Sequence, residues 1–168
     1  MLRALLLTAT VAGSFVAVPT AHAAVDQICV LSEVINYSPP LTDTPQTVTF
    51  SVHGQLFNCT SSSAATGSYF ETGTASNATC TSILGAGSGT RVYRWTNTAI
   101  EPSTFSYNRT VSRIGGEIVV VAEGSITSGT FTPDPAKSMG SGLQPNPTAC
   151  MTTGVAQLTA LGTLTIGI

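Results

Sequence analysis

The sequence predicts an all-β protein, an antiparallel β-sandwich first and a β-barrel second, stapled by two disulfides. Three observations carry this. Thr, Val, Ile and aromatic residues recur in short alternating runs, the pattern of half-buried strands. Sixteen glycines and nine prolines punctuate those runs, as turns between strands require, and no stretch repeats apolar residues at helical spacing. Four cysteines, Cys29, Cys59, Cys80 and Cys150, form an even set, which in an exported chain reads as two bonds.

Export is read from the first residues. Met1-Leu2-Arg3 carries one positive charge, Ala4 to Val18 is uncharged and mostly apolar, and Ala21-His22-Ala23 supplies small residues before a cut at Ala24. Residues 1–23 are therefore expected to be a signal peptide and residues 24–168 a single extracellular domain. The apolar run is shorter than the ~20 residues of a membrane span, so no membrane span is expected after cleavage, and the protein is expected to be secreted, free or associated with the cell surface.

Charged residues make up 8% of the chain and the formal net charge is −2; soluble domains carry about 25%. Ser and Thr supply the polarity instead. So few cations argue against nucleic acid as a partner, because phosphate binding needs clustered Lys and Arg.

Along the chain, Gln27–Ser32 reads as a first strand holding Cys29, and residues 36–45, with Pro39-Pro40, as a loop or edge. In Thr47–Cys59, Val48, Phe50 and Val52 share one face. A bulge at Gly54 is expected, to turn Phe57 and Cys59 back inward and bring Cys59 to Cys29. Of three possible connectivities, Cys29–Cys59 with Cys80–Cys150 is favoured. Ser68–Thr74 and Ala78–Ile83 are weaker strands and Gly85–Gly89 a turn. Arg91, Tyr93 and Trp95 share one face of the next strand, with Val92 and Arg94 on the other. Thr104–Ile114, Gly115-Gly116 and Glu117–Ala122 form a hairpin on a two-residue primed turn, and Ile118–Ala122 reads as a central strand covered on both sides. Ser125–Thr132 continues as a strand or bend. Residues 133–148, rich in proline and glycine, read as a long loop tethered at Cys150. Val155–Ile168 alternates well and is uncharged, so it is expected to be paired rather than a bare edge.

Candidate chemistry is sparse. Nucleophilic hydrolysis needs a general base, and His53, the one histidine after the leader, lies among Thr and Ser on a polar strand face. Eight acids could supply a carboxylate pair for glycoside cleavage, but no spacing selects one. No cysteine pair has zinc-finger spacing, so no metal and no cofactor are expected. Gly85–Gly89 lacks the Lys and helix of a phosphate loop. Arg91, Arg94, Arg109 and Arg113 would form a basic patch for an anionic wall polymer if their strands were neighbours. Tyr93 and Trp95 are either a sugar-stacking platform or core, and core is favoured. Asn58, Asn77 and Asn108 each begin an N-x-Thr sequon.

The order Cys80, Trp95, Cys150 resembles that of immunoglobulin domains, although Thr148 stands where the tyrosine corner would be; the resemblance implies a sandwich with Cys80–Cys150 bridging its sheets. Ala21-His22-Ala23-Ala24, the four cysteines, Ser128-Gly129-Thr130-Phe131 and the charge-poor end together resemble the small secreted β-proteins of unassigned function in high-GC actinobacteria. That resemblance implies neither an activity nor site residues. The function expected is a non-enzymatic secreted protein that binds or coats a cell-surface or wall component. A soluble binding or inhibitor module using loop 133–148, with an extracellular protein as partner, comes second, and a carbohydrate-active enzyme last.

Overall fold

The computed structural model describes residues 25–82 and 85–167. The expected leader lies outside them, as do Ile83 and Ile168. Eight strands follow one another: β1 (Gln27–Leu41), β2 (Gln46–Phe57), β3 (Gly67–Ala78), β4 (Gly87–Trp95), β5 (Ser103–Ile114), β6 (Glu117–Ser128), β7 (Pro135–Leu143) and β8 (Val155–Ile166). Each pairs antiparallel with the next, and β8 returns to β1, closing the sheet into a barrel. A 3-10 turn (Ser62–Ala64) follows β2, and a short helix, α1 (Pro147–Met151), precedes β8.

Closure is made by the pairing of β1 with β8. Ile28↔Thr165 and Cys29↔Leu164 set the β1–β8 register, which turns Cys29, Leu31, Ile35, Leu164 and Ile166 inward, all of them buried. Ser106, Thr110 and Thr163 are exposed on the outside. The outer face also carries apolar side chains, among them Ile28, Val30, Phe70, Met139 and Leu161. The described residues contain no helix long and apolar enough to cross a membrane.

The predicted all-β antiparallel class is borne out, and of the two architectures considered the barrel forms. Both favoured disulfides form, Cys29–Cys59 and Cys80–Cys150. The second does not bridge two sheets, because there is only one. It ties the β3–β4 connection to α1 at one end of the barrel, while Cys29–Cys59 holds the start of β1 to the end of β2 at the other. Closing chain segments of 30 and 70 residues contributes about 3.5 and about 4.5 kcal/mol on the loop-entropy model.

Several local expectations are corrected. β1 runs through Pro39-Pro40 to Leu41 instead of ending in a loop. The Gly54 bulge does not form: Glu33↔Gly54 and Gly54↔Tyr69 continue an unbroken register on both sides, Phe57 faces outward, and the irregularity lies at Gln46/Val48. Ala78 ends β3 and residues 79–82 form no separate strand, and Gly87–Gly89 belong to β4. The β5–β6 hairpin turns on Gly115 and Gly116, both with positive φ, as its Gly-Gly requires. Ile118–Ala122 is covered on one side only, with Ile118 and Ala122 buried and Val119 and Val121 half-buried, because a barrel wall is a single layer. Residues 133–148 are not a loop: they hold β7 and the start of α1. The terminal strand is paired on both edges, by β1 and β7.

Large inward aromatics sit beside inward glycines on the neighbouring strand: Tyr69↔Gly54, Phe50↔Gly73, Trp95↔Gly67 and Tyr107↔Gly89. A Cβ on Gly54 would stand 1.9 Å from the Tyr69 ring, closer than atoms can approach. Gly54→Ala is expected to displace Tyr69 and lower the unfolding free energy by about 1–3 kcal/mol, measured by urea denaturation against the parent chain.

Candidate functional site

Eight strands enclose an interior just wide enough for side chains or one small ligand, and in this barrel one end is filled by side chains and the other is hollow. The end holding Cys29–Cys59 is filled. Leu31, Leu56, Tyr93, Phe105, Ile126 and Leu164 are fully buried there. Trp95 donates from Nε1 to Ser103 Oγ at 2.9 Å, and that hydroxyl donates to the Thr130 carbonyl at 2.6 Å. Gln27 caps this end, donating to the Ala64 carbonyl and accepting from the Ser61 amide, both at 2.7 Å.

Two residues further along each strand the interior changes character. Leu31 gives way to Glu33, Tyr69 to Glu71 and Tyr93 to Arg91. The Arg91 guanidinium bonds Glu71 Oε2 through Nε (3.1 Å) and NH2 (2.8 Å), approaches Glu33 Oε1 at 3.5 Å through NH1, and donates to Ser138 Oγ at 3.3 Å. It lies over the Tyr69 ring, 4.0 Å from the centroid. The Tyr69 hydroxyl donates to Glu33 Oε1, and the Tyr107 hydroxyl to Glu71 Oε1 at 2.6 Å. Arg91 is 8% exposed, so its charge persists only because these groups surround it. Burial opposes its charge, yet the carboxylates of Glu71 and Glu33 beside it hold it firmly protonated.

Beyond this layer the barrel is hollow. A cavity of about 800 Å³ has Glu33, Glu71, Arg91 and Tyr107 as its floor and a mixed wall, apolar at Ile35, Val52, Val120 and Leu158 and polar at Thr72, Ser88 and Thr159. Small inward residues leave the space: Gly73, Ala75, Gly89, Gly140, Gly142 and Ala160 all line it. The cup also opens sideways. β3 and β4 pair only at Gly67↔Trp95 and Ser68↔Arg94 and then diverge, so that residues of both strand edges, Thr72 to Asn77 and Ser88 to Arg91, border the cavity.

The arginines expected to form a basic patch do not assemble. Arg91 is interior, Arg94 is exposed on the outer face, Arg109 is half-buried at the cup with Nε donating to the Gly85 carbonyl at 3.3 Å, and Arg113 is exposed near the end of β5. Tyr93 and Trp95 are core, 0% and 6% exposed, and form no sugar platform. His53 is exposed as expected and packs on Phe70, with ring centroids 4.6 Å apart. Asn58, Asn77 and Asn108 are exposed. Asp43 lies near Cys80 and Cys150, but both sulfurs are spent in their disulfide and bind no metal. The sequence reading missed Glu33 and Glu71 as partners. Parity was the available signal: Arg91 shares a strand face with Trp95, Glu71 with Tyr69, and Glu33 with Leu31 and Ile35, so each charge rides on a core-facing series.

No family model, curated protein or solved structure matches the chain, and the site is read from its own chemistry.

Removing Arg91 leaves two carboxylates facing each other with no counter-charge. Arg91→Met is expected to lower the unfolding free energy by about 3–5 kcal/mol, the cost of breaking a buried ion pair from one side, measured by denaturant titration. All four tyrosines point inward, and burial raises every hydroxyl, those of Tyr93 and Tyr107 to about 12 against the ordinary 10.0. The unfolded chain therefore releases these protons first. Stability is fully present below pH 10 and is lost as the pH rises toward 12. An absorbance titration of tyrosinate is expected to stay flat through pH 10, then rise in one cooperative step coincident with loss of strand circular dichroism.

Proposed function

We propose that this is an exported, non-enzymatic binding protein whose barrel cup takes up a small amphipathic molecule. The observation that carries the reading is the cavity of about 800 Å³, within the range of small-ligand pockets, with an apolar strip of wall and a hydroxyl-bearing remainder above a fixed polar floor. An elongated, mostly apolar ligand fits it: its body lies against Ile35, Phe50, Val52, Ile118, Val120 and Leu158, and its polar end reaches the floor. The seam between β3 and β4 gives a second way in. Extracellular placement is supported by the two disulfides and by the sequence of residues 1–23.

Attachment to a wall polymer through arginines has less support, because Arg91 lies inside the barrel and the others point in different directions. A partner-binding loop at 133–148 has less support for a similar reason, since that stretch is barrel wall and helix. A carboxylate pair for sugar cleavage would be Glu33 and Glu71. Each already accepts from a tyrosine hydroxyl, and Arg91 stands between them, so neither offers a proton to a leaving group.

The test uses diphenylhexatriene, an uncharged rod-like hydrocarbon that fluoresces in apolar surroundings. Saturable one-to-one binding is expected, weakened roughly tenfold or more in Ala160→Phe, whose ring would occupy the cup. Absence of saturable binding, or equal binding by Ala160→Phe, would overturn the reading.

A further inference from the structure

We infer that the ligand of the cup carries a hydrogen-bond-donating, cationic head, an alkylammonium or similar group, which seats on Glu33. This inference rests on the cup being a ligand site and specifies what its floor selects. The floor presents acceptors. Glu33 Oε1 is engaged by Tyr69 and Arg91, whereas Oε2 has no hydrogen-bond donor among the described residues; Glu33 itself lines the cavity. Most donors of the floor are turned to protein acceptors. The Tyr107 hydroxyl is given to Glu71, and Arg91 directs Nε and NH2 to Glu71 and NH1 to Ser138. With two carboxylates around one guanidinium the floor is one charge negative.

An anionic head placed on this floor would lie against Glu33 and Glu71, which flank Arg91. Its alternative partner is Arg109, higher in the cup, and that arrangement would press hydrocarbon onto Glu33 Oε2, leaving a desolvated carboxylate oxygen unbonded. A neutral hydroxyl could donate to Oε2 but gains no charge assistance. An ammonium head supplies both the donor and the counter-charge, with its chain along the apolar strip of the wall.

The experiment compares three straight-chain twelve-carbon compounds, the amine, the alcohol and the carboxylate, as displacers of diphenylhexatriene at neutral pH. The amine is expected to bind roughly tenfold or more tighter than the alcohol, as a charge-assisted bond implies, with the carboxylate weakest. In Glu33→Gln the amine-to-alcohol ratio is expected to fall to about one. Gly140→Ala gives a second reading should that variant fold poorly: its methyl would stand 3.3 Å from Glu33 Oε2, crowding the oxygen without removing its charge, and it is expected to lower the same ratio. A carboxylate that matches the amine, or a ratio unchanged in both variants, overturns the inference while leaving the cup intact as a ligand site. If diphenylhexatriene and all three compounds fail to bind, the cup reading itself fails.

Discussion

The interior is organised by one buried cation. A guanidinium held inside a barrel must have its charge and its donors answered on the spot, and the answers to Arg91 come from four other strands. Glu33 is on β1, Glu71 and Tyr69 on β3, Tyr107 on β5 and Ser138 on β7. None of these contacts is local in sequence. They come together only when β8 has closed onto β1, so the layer acts as a lock on the finished barrel. Its net contribution to stability need not be large, because desolvation offsets much of the attraction. What it secures is one arrangement, since a strand slipped by one residue would swing its charged member out to solvent.

The lock also divides the interior into two compartments with different contents. Below it, bulky residues fill the space that eight strands enclose, and the aromatic rings need neighbouring glycines: Tyr69 lies beside Gly54, and Trp95 beside Gly67. Above it the inward positions turn small, with Gly140, Gly142 and Ala160 on the β7–β8 wall and Gly73 and Gly89 on the wall facing it. The hollow follows directly from those choices, because the backbone of the barrel is the same width throughout. In the filled half Gly54 and Gly67 each have an aromatic ring against them, whereas beside Gly140 the nearest side chains are Glu33 and Ala160. The wall there mixes apolar and hydroxyl-bearing side chains above the ionic floor.

Much of the fold was legible in the sequence. Alternation in Val48–Val52 and in Leu164–Ile166, the Gly115-Gly116 turn and the even cysteine count gave the class, the main strands and the pairing of cysteines. Closure was less legible because alternation states which residues face inward, not whether the sheet that bears them folds over or rolls up. The proline-rich stretches misled for a local reason. The segment around Lys137 read as a loop by composition, yet it sits in a strand because β6 and β8 supply the register, while Pro39-Pro40, read as a loop or edge, lies in an irregular stretch of β1. The site was half visible: Arg91, Tyr93 and Trp95 were placed on one face, and treating Trp95 as core already implies an interior arginine. Its partners were not legible, since Glu33 and Glu71 are 58 and 20 residues from Arg91 in the chain and only the three-dimensional closure makes them adjacent.

The wall is weakest where the cup is. β3 and β4 share two residue pairs, while β2–β3 and β4–β5 run in register for most of their lengths. Local opening is easiest where few ladder bonds must break, and along this seam most of the two facing edges are already apart. The seam is nonetheless bounded at both ends. Trp95 against Gly67 closes it beside the filled half, and the Cys80–Cys150 bond holds the β3–β4 connection to α1 at the other. Access to the interior is thereby separated from the integrity of the barrel. A molecule can enter above Arg91 without disturbing the aromatic packing below it, and the ionic floor that would receive it is kept rigid by the same contacts that keep the barrel closed.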